Sequence, residues 1–222
     1  MGNNLEGFKD SKKLTDWVRY FLYLQIAIAL LSLISGYMEF RMLSDFQNGV
    51  YESQDQAVAD AESSDARQAV VAIIYLVNYI VSGVFILKWI YRANYNARQL
   101  GAVNMKFTPG WSVGWYFVPL FSLWKPYQAM EEIWKASHNP GNWNTEKINY
   151  LLPLWWILWL AANFLGQAVF RLSMQAEEVE ELLHVNVLYQ LSDIVNIPLA
   201  MVTLALVNSI YRAQVAQPKV TA

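Results

Sequence analysis

The hydrophobic positions of this chain fall in four long runs, at 17–38, 69–90, 150–170 and 187–211. At 1.5 Å rise per residue each run, as a helix, covers a hydrocarbon core of about 30 Å. The fourth is diluted by Asp193, Asn196 and Pro198. A buried helix of a soluble domain is the alternative for it, but three neighbouring spans leave no soluble core for it to join. The first run is longer than the apolar core of about 7–15 residues usual in a cleaved signal, and no clear small-x-small site follows it, so it reads as a retained helix. The pattern predicts an all-α membrane protein, a single membrane domain over 1–222 with four transmembrane helices and a cytoplasmic segment, 91–149, between helices 2 and 3.

Polar positions shape the connections. "YESQDQAVADAESSDARQAVV" is alanine-rich, with Ser53 or Asp55 placed to cap a helix, and predicts an outward extension of the second span. "SMQAEEVEELLHV" predicts a short helix whose glutamates form a solvated face, since a Ca²⁺ site needs oxygens converging from a turn. On the other side "KWIYRANYNARQLGA" continues the second helix, and Gly101 suits its end. Pro109–Gly110 is a turn signal. Then come fifteen uncharged residues between Pro109 and Lys125, rich in aromatics, with Trp111, Trp115, Tyr116, Phe117 and Trp124 among them. That run is too greasy for a soluble loop and too short for a span of about 20 residues. It predicts a shallow re-entrant or interfacial helix, bent at Pro119 and anchored by Trp111, Trp115 and Trp124. Pro126 then opens "PYQAMEEIWKASH", with Tyr127, Met130, Ile133, Trp134 and Ser137 on one face, an amphipathic interfacial helix.

Composition agrees with a membrane solvent. Of the 222 residues 55% are hydrophobic and 15% charged, against about 25% charged in soluble domains. Ten tryptophans point to interfacial anchoring. No cysteine is present, which excludes disulfide and thiolate chemistry. The net charge is only -2, but its distribution sets an orientation. Thirteen of the 16 basic residues lie before the first apolar core, between spans two and three, or at the C-terminal end, where Arg212 and Lys219 stand. Arg41, Arg67 and Arg171 are on the other side. Twelve of 18 acids fall in 39–65 and 177–193. Both termini and the middle segment are therefore expected in the cytoplasm.

"IYRA" occurs at 90–93 and again at 210–213, each time at the inner end of a span. Duplication of a two-helix unit is one reading. The other is that inner helix ends favour Tyr-Arg at the interface.

The series "WIYRANYNARQLGA" and "PGWSVGWYFVPLFSLWKPYQAMEEIWKAS" resembles the bacterial membrane family known as domain of unknown function 4328. The likeness is close over residues 88–137 and reaches the flanking spans by layout. It implies a bacterial inner (cytoplasmic) membrane location and a four-helix layout, and it assigns no activity.

Catalytic constellations are scarce. His138 and His184 lie on opposite sides of the bilayer, no paired histidines sit inside the spans for haem, and no HExxH, GxSxG or phosphate-loop pattern appears. No catalytic residue, metal site or cofactor is expected, and His138 reads as a turn residue. Two clusters remain. One is a cytoplasmic platform of cations beside aromatics: Arg92, Asn94, Asn96, Arg98, Trp111, Trp115, Lys125, Tyr127, Gln128, Glu131 and Trp134. The other is intramembrane and polar: Asn78, Asn163, Gln167, Arg171, Asp193 and Asn196, with Gln25 and Asn208, read as interhelical hydrogen bonding or as a path. A pair between Arg171 and Asp193 is expected to fix packing. The leading reading is a non-enzymatic protein that binds lipid headgroups, anionic ones included, or a membrane partner or second copy, and no nucleic acid. A small transporter or channel is the alternative. A lipid-acting enzyme with Glu131 or Glu132 as acid/base is the third.

Overall fold

The computed structural model describes residues 7–217, which leaves Lys219 outside the described residues. Six α-helices carry the chain: α1 Lys12–Gln47, α2 Gln54–Gln99, α3 Pro109–Gly114, α4 Lys125–His138, α5 Leu151–Ser173 and α6 Val179–Ala216. No strand occurs among the described residues. Helices α1, α2, α5 and α6 are long and apolar enough to cross a membrane. The most apolar window of α2 is only 11% buried. Leu31, Ile34, Ile73, Ile80, Ile157 and Phe164 are bare. Water would penalise such surface, whereas lipid favours it, and every backbone group inside a helix is already paired.

The extensions of α2 beyond its apolar run form at both ends. Ser53 Oγ accepts from the Gln56 backbone N–H (3.3 Å), and the helix starts beside it. It ends before Gly101, whose φ of 103° is a conformation that a side chain disfavours. The short outer helix expected at 173–185 is different: its residues from Val179 are the first turns of α6. No glycine or proline separates them from the span, so the helix continues. At its start Glu181 Oε2 accepts from the backbone N–H of Glu177 (2.9 Å) and Glu178 (3.3 Å). Those bonds hold its carboxyl below the usual range. One of the four glutamates thus serves the helix N-terminus.

The chain groups into two compact units, each made from parts of the spanning helices. One holds the described residues of Met1–Leu22, Val81–Ile157 and Met201–Ala222. Its interior contains Trp89, Ile90, Ile133, Trp134, Trp143, Leu152, Trp155 and Ile210. The two "IYRA" copies bury the same residue, Ile90 and Ile210, and Gln214 Nε2 donates to Ala93 O (2.8 Å). The other unit holds Tyr23–Ile80 and Leu158–Ala200. There α1 and α6 approach closely at Gly36, where a Cβ would stand 3.2 Å from Gln190 Cγ.

Two expectations for the middle segment are corrected. No helix runs through the aromatic stretch: after α3 come single 3-10 turns at Trp115–Phe117 and Phe121–Leu123. Leu120, at φ 64° and ψ −52°, centres a γ-turn closed by Phe121 N–H to Pro119 O (2.8 Å). Pro119 supplies no N–H to a helix and the γ-turn reverses the chain, so a continuous helix cannot form. Nor does α4 leave an apolar face for lipid. Met130, Ile133, Trp134, Ala136 and Ser137 are all buried, and so is Glu132 on the face expected to be polar.

Candidate functional site

The last turns of α2 explain the "RANYNAR" pattern. Residues four apart share a helix face, and residues two apart face opposite ways. Arg92 and Asn96 turn to the N-terminal segment. Asn96 accepts from Lys9 N–H (3.1 Å) and donates to Lys9 O (2.8 Å), while Arg92 donates to Asp10 O (3.1 Å). Asn94 and Arg98 turn to the loop at 105–107. Arg98 donates to Met105 O (3.0 Å), Phe107 O (2.7 Å) and Asn94 Oδ1 (3.1 Å). Asn94 Nδ2 also donates to Phe107 O (3.0 Å).

The amides of the same loop are met from α4. Glu132 accepts from Lys106 N–H (2.7 Å) through Oε1 and from Phe107 N–H (3.0 Å) through Oε2. An irregular buried segment needs every backbone group paired, and here side chains do it. Of the expected platform residues, Asn94, Asn96 and Arg98 are therefore engaged within the protein, and Arg92 is committed in part. Glu131 pairs with Lys135 at 2.7 Å. Trp134 is buried and stacks on His138 with ring centroids 4.0 Å apart. A carbonyl only accepts, so His138 Nδ1 donates to Trp134 O (2.8 Å), and Nε2 stands 3.1 Å from the Ser209 hydroxyl.

What remains on the surface is aromatic. Trp111, Trp115, Phe121 and Trp124 form a chain of ring contacts at 4.7, 5.3 and 5.2 Å. Trp111 is 53% exposed, Phe117 70% and Leu120 73%. Lys125 Nζ stands 5.6 Å from the Phe107 ring and 5.9 Å from the Trp115 ring, and donates to Gln128 Oε1 (3.3 Å). Tyr127 packs on Trp156 at 6.1 Å.

The second unit contains a cavity of about 930 Å³. Five of the six intramembrane polar residues line it: Asn163, Gln167, Arg171, Asp193 and Asn196. The sixth, Asn78, is buried beside a smaller gap with Gln25, Tyr75 and Tyr79, and its Oδ1 has no partner. Arg171 and Asp193 do not pair. The ion pairs among the described residues are Lys12–Asp16, Arg19–Asp16 and Lys135–Glu131. Asp193 takes its hydrogen bond from Ser32, and Arg171 sits exposed in the last turn of α5. Asn208, also expected inside the bundle, accepts from Arg19 Nε (2.7 Å) in the first unit.

Sequence reasoning missed Glu39, Gln68, Asn186 and Gln190 in this wall. Glu39 Oε2 accepts from Gln68 (2.8 Å) and Asn186 (2.7 Å), and Gln190 donates to Asn186 Oδ1 (2.6 Å). Gln68 further accepts from Ser35 (3.2 Å), which accepts from Arg67 (3.1 Å). The signal was present: Ser35, Glu39, Asn186 and Gln190 recur at i, i+4 on their helices, a polar stripe beside an apolar one. Among the described residues no three His, Cys, Asp or Glu come together as a metal site.

Four membrane-length helices, one unit knitted by side chains and one holding a polar-lined cavity make this a multi-pass membrane protein. The chain belongs to the family described as Domain of unknown function (DUF4328), whose model matches residues 52–212. The match takes in α2 to α6 as far as Arg212 and leaves α1 outside it. No curated protein and no solved structure matches the chain.

Proposed function

We propose that this is a non-enzymatic protein of a bacterial inner membrane, with both termini cytoplasmic, that seats its aromatic segment in the inner headgroup layer and engages anionic lipid there. The carrying observation is the bare aromatic surface from Trp111 to Trp124, next to Lys125 and the exposed Lys106. Rings at that depth keep one edge wet and one face apolar, and each lysine near an anionic surface contributes about 1 kcal/mol. The basic asymmetry supports the orientation. The full engagement of both Glu132 oxygens, and the Glu131–Lys135 pair, speak against an acid/base role for these two.

The test uses the absence of native cysteine. A spin label on Phe117→Cys is expected to collide with both oxygen and a water-soluble relaxant, the signature of the headgroup region. A label reached only by the aqueous agent sinks the seating. Lys106→Gln with Lys125→Gln is expected to weaken selectivity for phosphatidylglycerol over phosphatidylcholine severalfold, about 1 kcal/mol per lysine. Unchanged selectivity sinks the lipid reading. A cysteine at Asp60 is expected to react with an impermeant reagent on intact cells, and one at Asn104 is not.

A second reading, a small-solute carrier, is favoured by the cavity. Liposomes holding the protein are expected to release trapped small organic solutes faster than empty ones. Equal release across cationic, anionic and neutral solutes removes that reading.

A further inference from the structure

The cavity wall has a specific chemistry. Asp193 is 5% exposed, on a helix that spans, and its recorded partner is the neutral hydroxyl of Ser32. A carboxylate there lacks the counter-charge that low-dielectric surroundings demand. The other charges on the wall do not supply it. Glu39 is itself acidic and takes two amide bonds, with Arg67 three hydrogen bonds away through Ser35 and Gln68. Arg171 is exposed at the end of α5 and pairs with neither acid among the described residues. Beside the neutral amides of the wall stand aromatic side chains, Tyr75, Tyr79, Trp159 and Phe170. Asn196 donates to the Tyr75 hydroxyl (2.9 Å) and so fixes that ring.

A carboxylate among aromatic faces is a recognition set for an organic cation: the acid takes the charge and the rings take the cationic face and the apolar body. The volume of about 930 Å³ lies in the range of small-molecule sites, roughly 300–1,000 Å³. We propose that this cavity binds an organic cation with an apolar body, its charge facing Asp193 and its body against the aromatic wall. The proposal names a ligand class for the carrier reading and is independent of the aromatic segment at the headgroups.

Gly166 provides a way to fill the cavity. It lines the wall within α5, and a Cβ there meets nothing within 4 Å. Leucine at this position enters open space and favours helix over glycine.

The experiment measures tetraphenylphosphonium binding to the purified full chain in phosphatidylcholine nanodiscs, against empty discs, with tetraphenylborate as the anion of like shape. No gradient is applied, so binding is read apart from any carrier activity. Saturable binding of the cation, and none of the anion, is expected. Asp193→Asn is expected to weaken it by about tenfold or more, as for the loss of a hydrogen-bonded charge partner. Gly166→Leu is expected to weaken it as much with an unchanged or raised Tm, and it decides the matter if Asp193→Asn does not fold. Arg171→Gln is expected to bind at least as tightly as the parent. Equal binding of anion and cation, or full cation binding in folded Asp193→Asn or in Gly166→Leu, overturns the proposal. Solute release from liposomes that persists in the face of such a result leaves the carrier reading standing with another ligand.

Discussion

The polar residues at 92–98 with Glu132, and those around the cavity, are of similar types, amides and arginines with one acid in the first set and two in the second, yet the chain uses them in different ways. At the C-terminal end of α2 they turn onto backbone. Asn96 makes two bonds to Lys9, Arg98 reaches three acceptors, and Glu132 uses both oxygens. Around the cavity one end of the wall is a network of Glu39, Gln68, Asn186 and Gln190, while elsewhere the side chains bond sparingly: Asp193 meets Ser32, and Asn163 folds back on Trp159 O (2.8 Å). Residue type therefore does not separate structure from site. What separates them is whether each donor and acceptor already has a partner in the chain.

The largest effect that sharpens this contrast is expected at Glu132. Glu132→Ala strands the buried Phe107 backbone N–H and the part-buried one of Lys106, and leaves Arg98 without the acid that shares its loop. At about 1–3 kcal/mol for each orphaned donor, the loss is about 3 kcal/mol or more. Thermal unfolding in mild detergent checks it, with Glu132→Gln as the milder case, since the amide keeps one acceptor. If Glu132→Ala melts with the parent, the loop is not held by side chains and the comparison fails on its first side.

Next comes Asn96→Ala, expected to cost about 1–2 kcal/mol, the scale of two neutral hydrogen bonds partly replaced by water. Hydrogen exchange should then rise at Lys9, whose N–H donates to Asn96, ahead of any change in α4. Uniform faster exchange instead means that the asparagine supports the whole unit rather than the segment it touches.

Much of this was legible in the sequence. The four spans follow from apolar length alone, and the α2 extension from its alanines, its cap at Ser53 and Gly101. Five cavity residues were visible because a polar group inside an apolar run stands out. Glu39, Gln68 and Asn186 were missed because they lie where the spans give way to charged connections, and Gln190, within the fourth run, shows only through its i, i+4 spacing from Asn186. Tyr75 and Tyr79 carry no such signal in the sequence, since a hydroxyl's partner is a tertiary fact. The aromatic stretch was legible as too short to span, but not as a broken path. A leucine at φ 64° is not predicted by any local preference, since positive φ belongs to glycine and asparagine. It follows that Leu120→Gly is expected to stabilise by about 0.5–1 kcal/mol, the relief of the strained φ less glycine's own chain entropy. A loss on that substitution would mean that the exposed leucine side chain holds the segment in lipid.

The smallest expected effect is on the cavity side. Asp193→Asn is near in shape and keeps an oxygen for the Ser32 hydroxyl, so no group is orphaned, and the open side of the residue needs no repacking. The stability change is expected to be small and, where measurable, towards greater stability, because a buried charge without a counter-charge is removed. Arg171→Gln, at an exposed position without an ion pair among the described residues, is expected to do as little. The double variant is the sharper measurement. Sites that share no partner add to within about 0.3–0.5 kcal/mol, so the cycle of Asp193→Asn and Arg171→Gln is expected to show no coupling beyond that. A coupling of 1 kcal/mol or more would join these two residues after all, and the wall would then be a packed network like the one at Glu132. If the cycle closes without coupling while Asp193→Asn still abolishes cation binding, the acid is kept for what enters the cavity rather than for the fold.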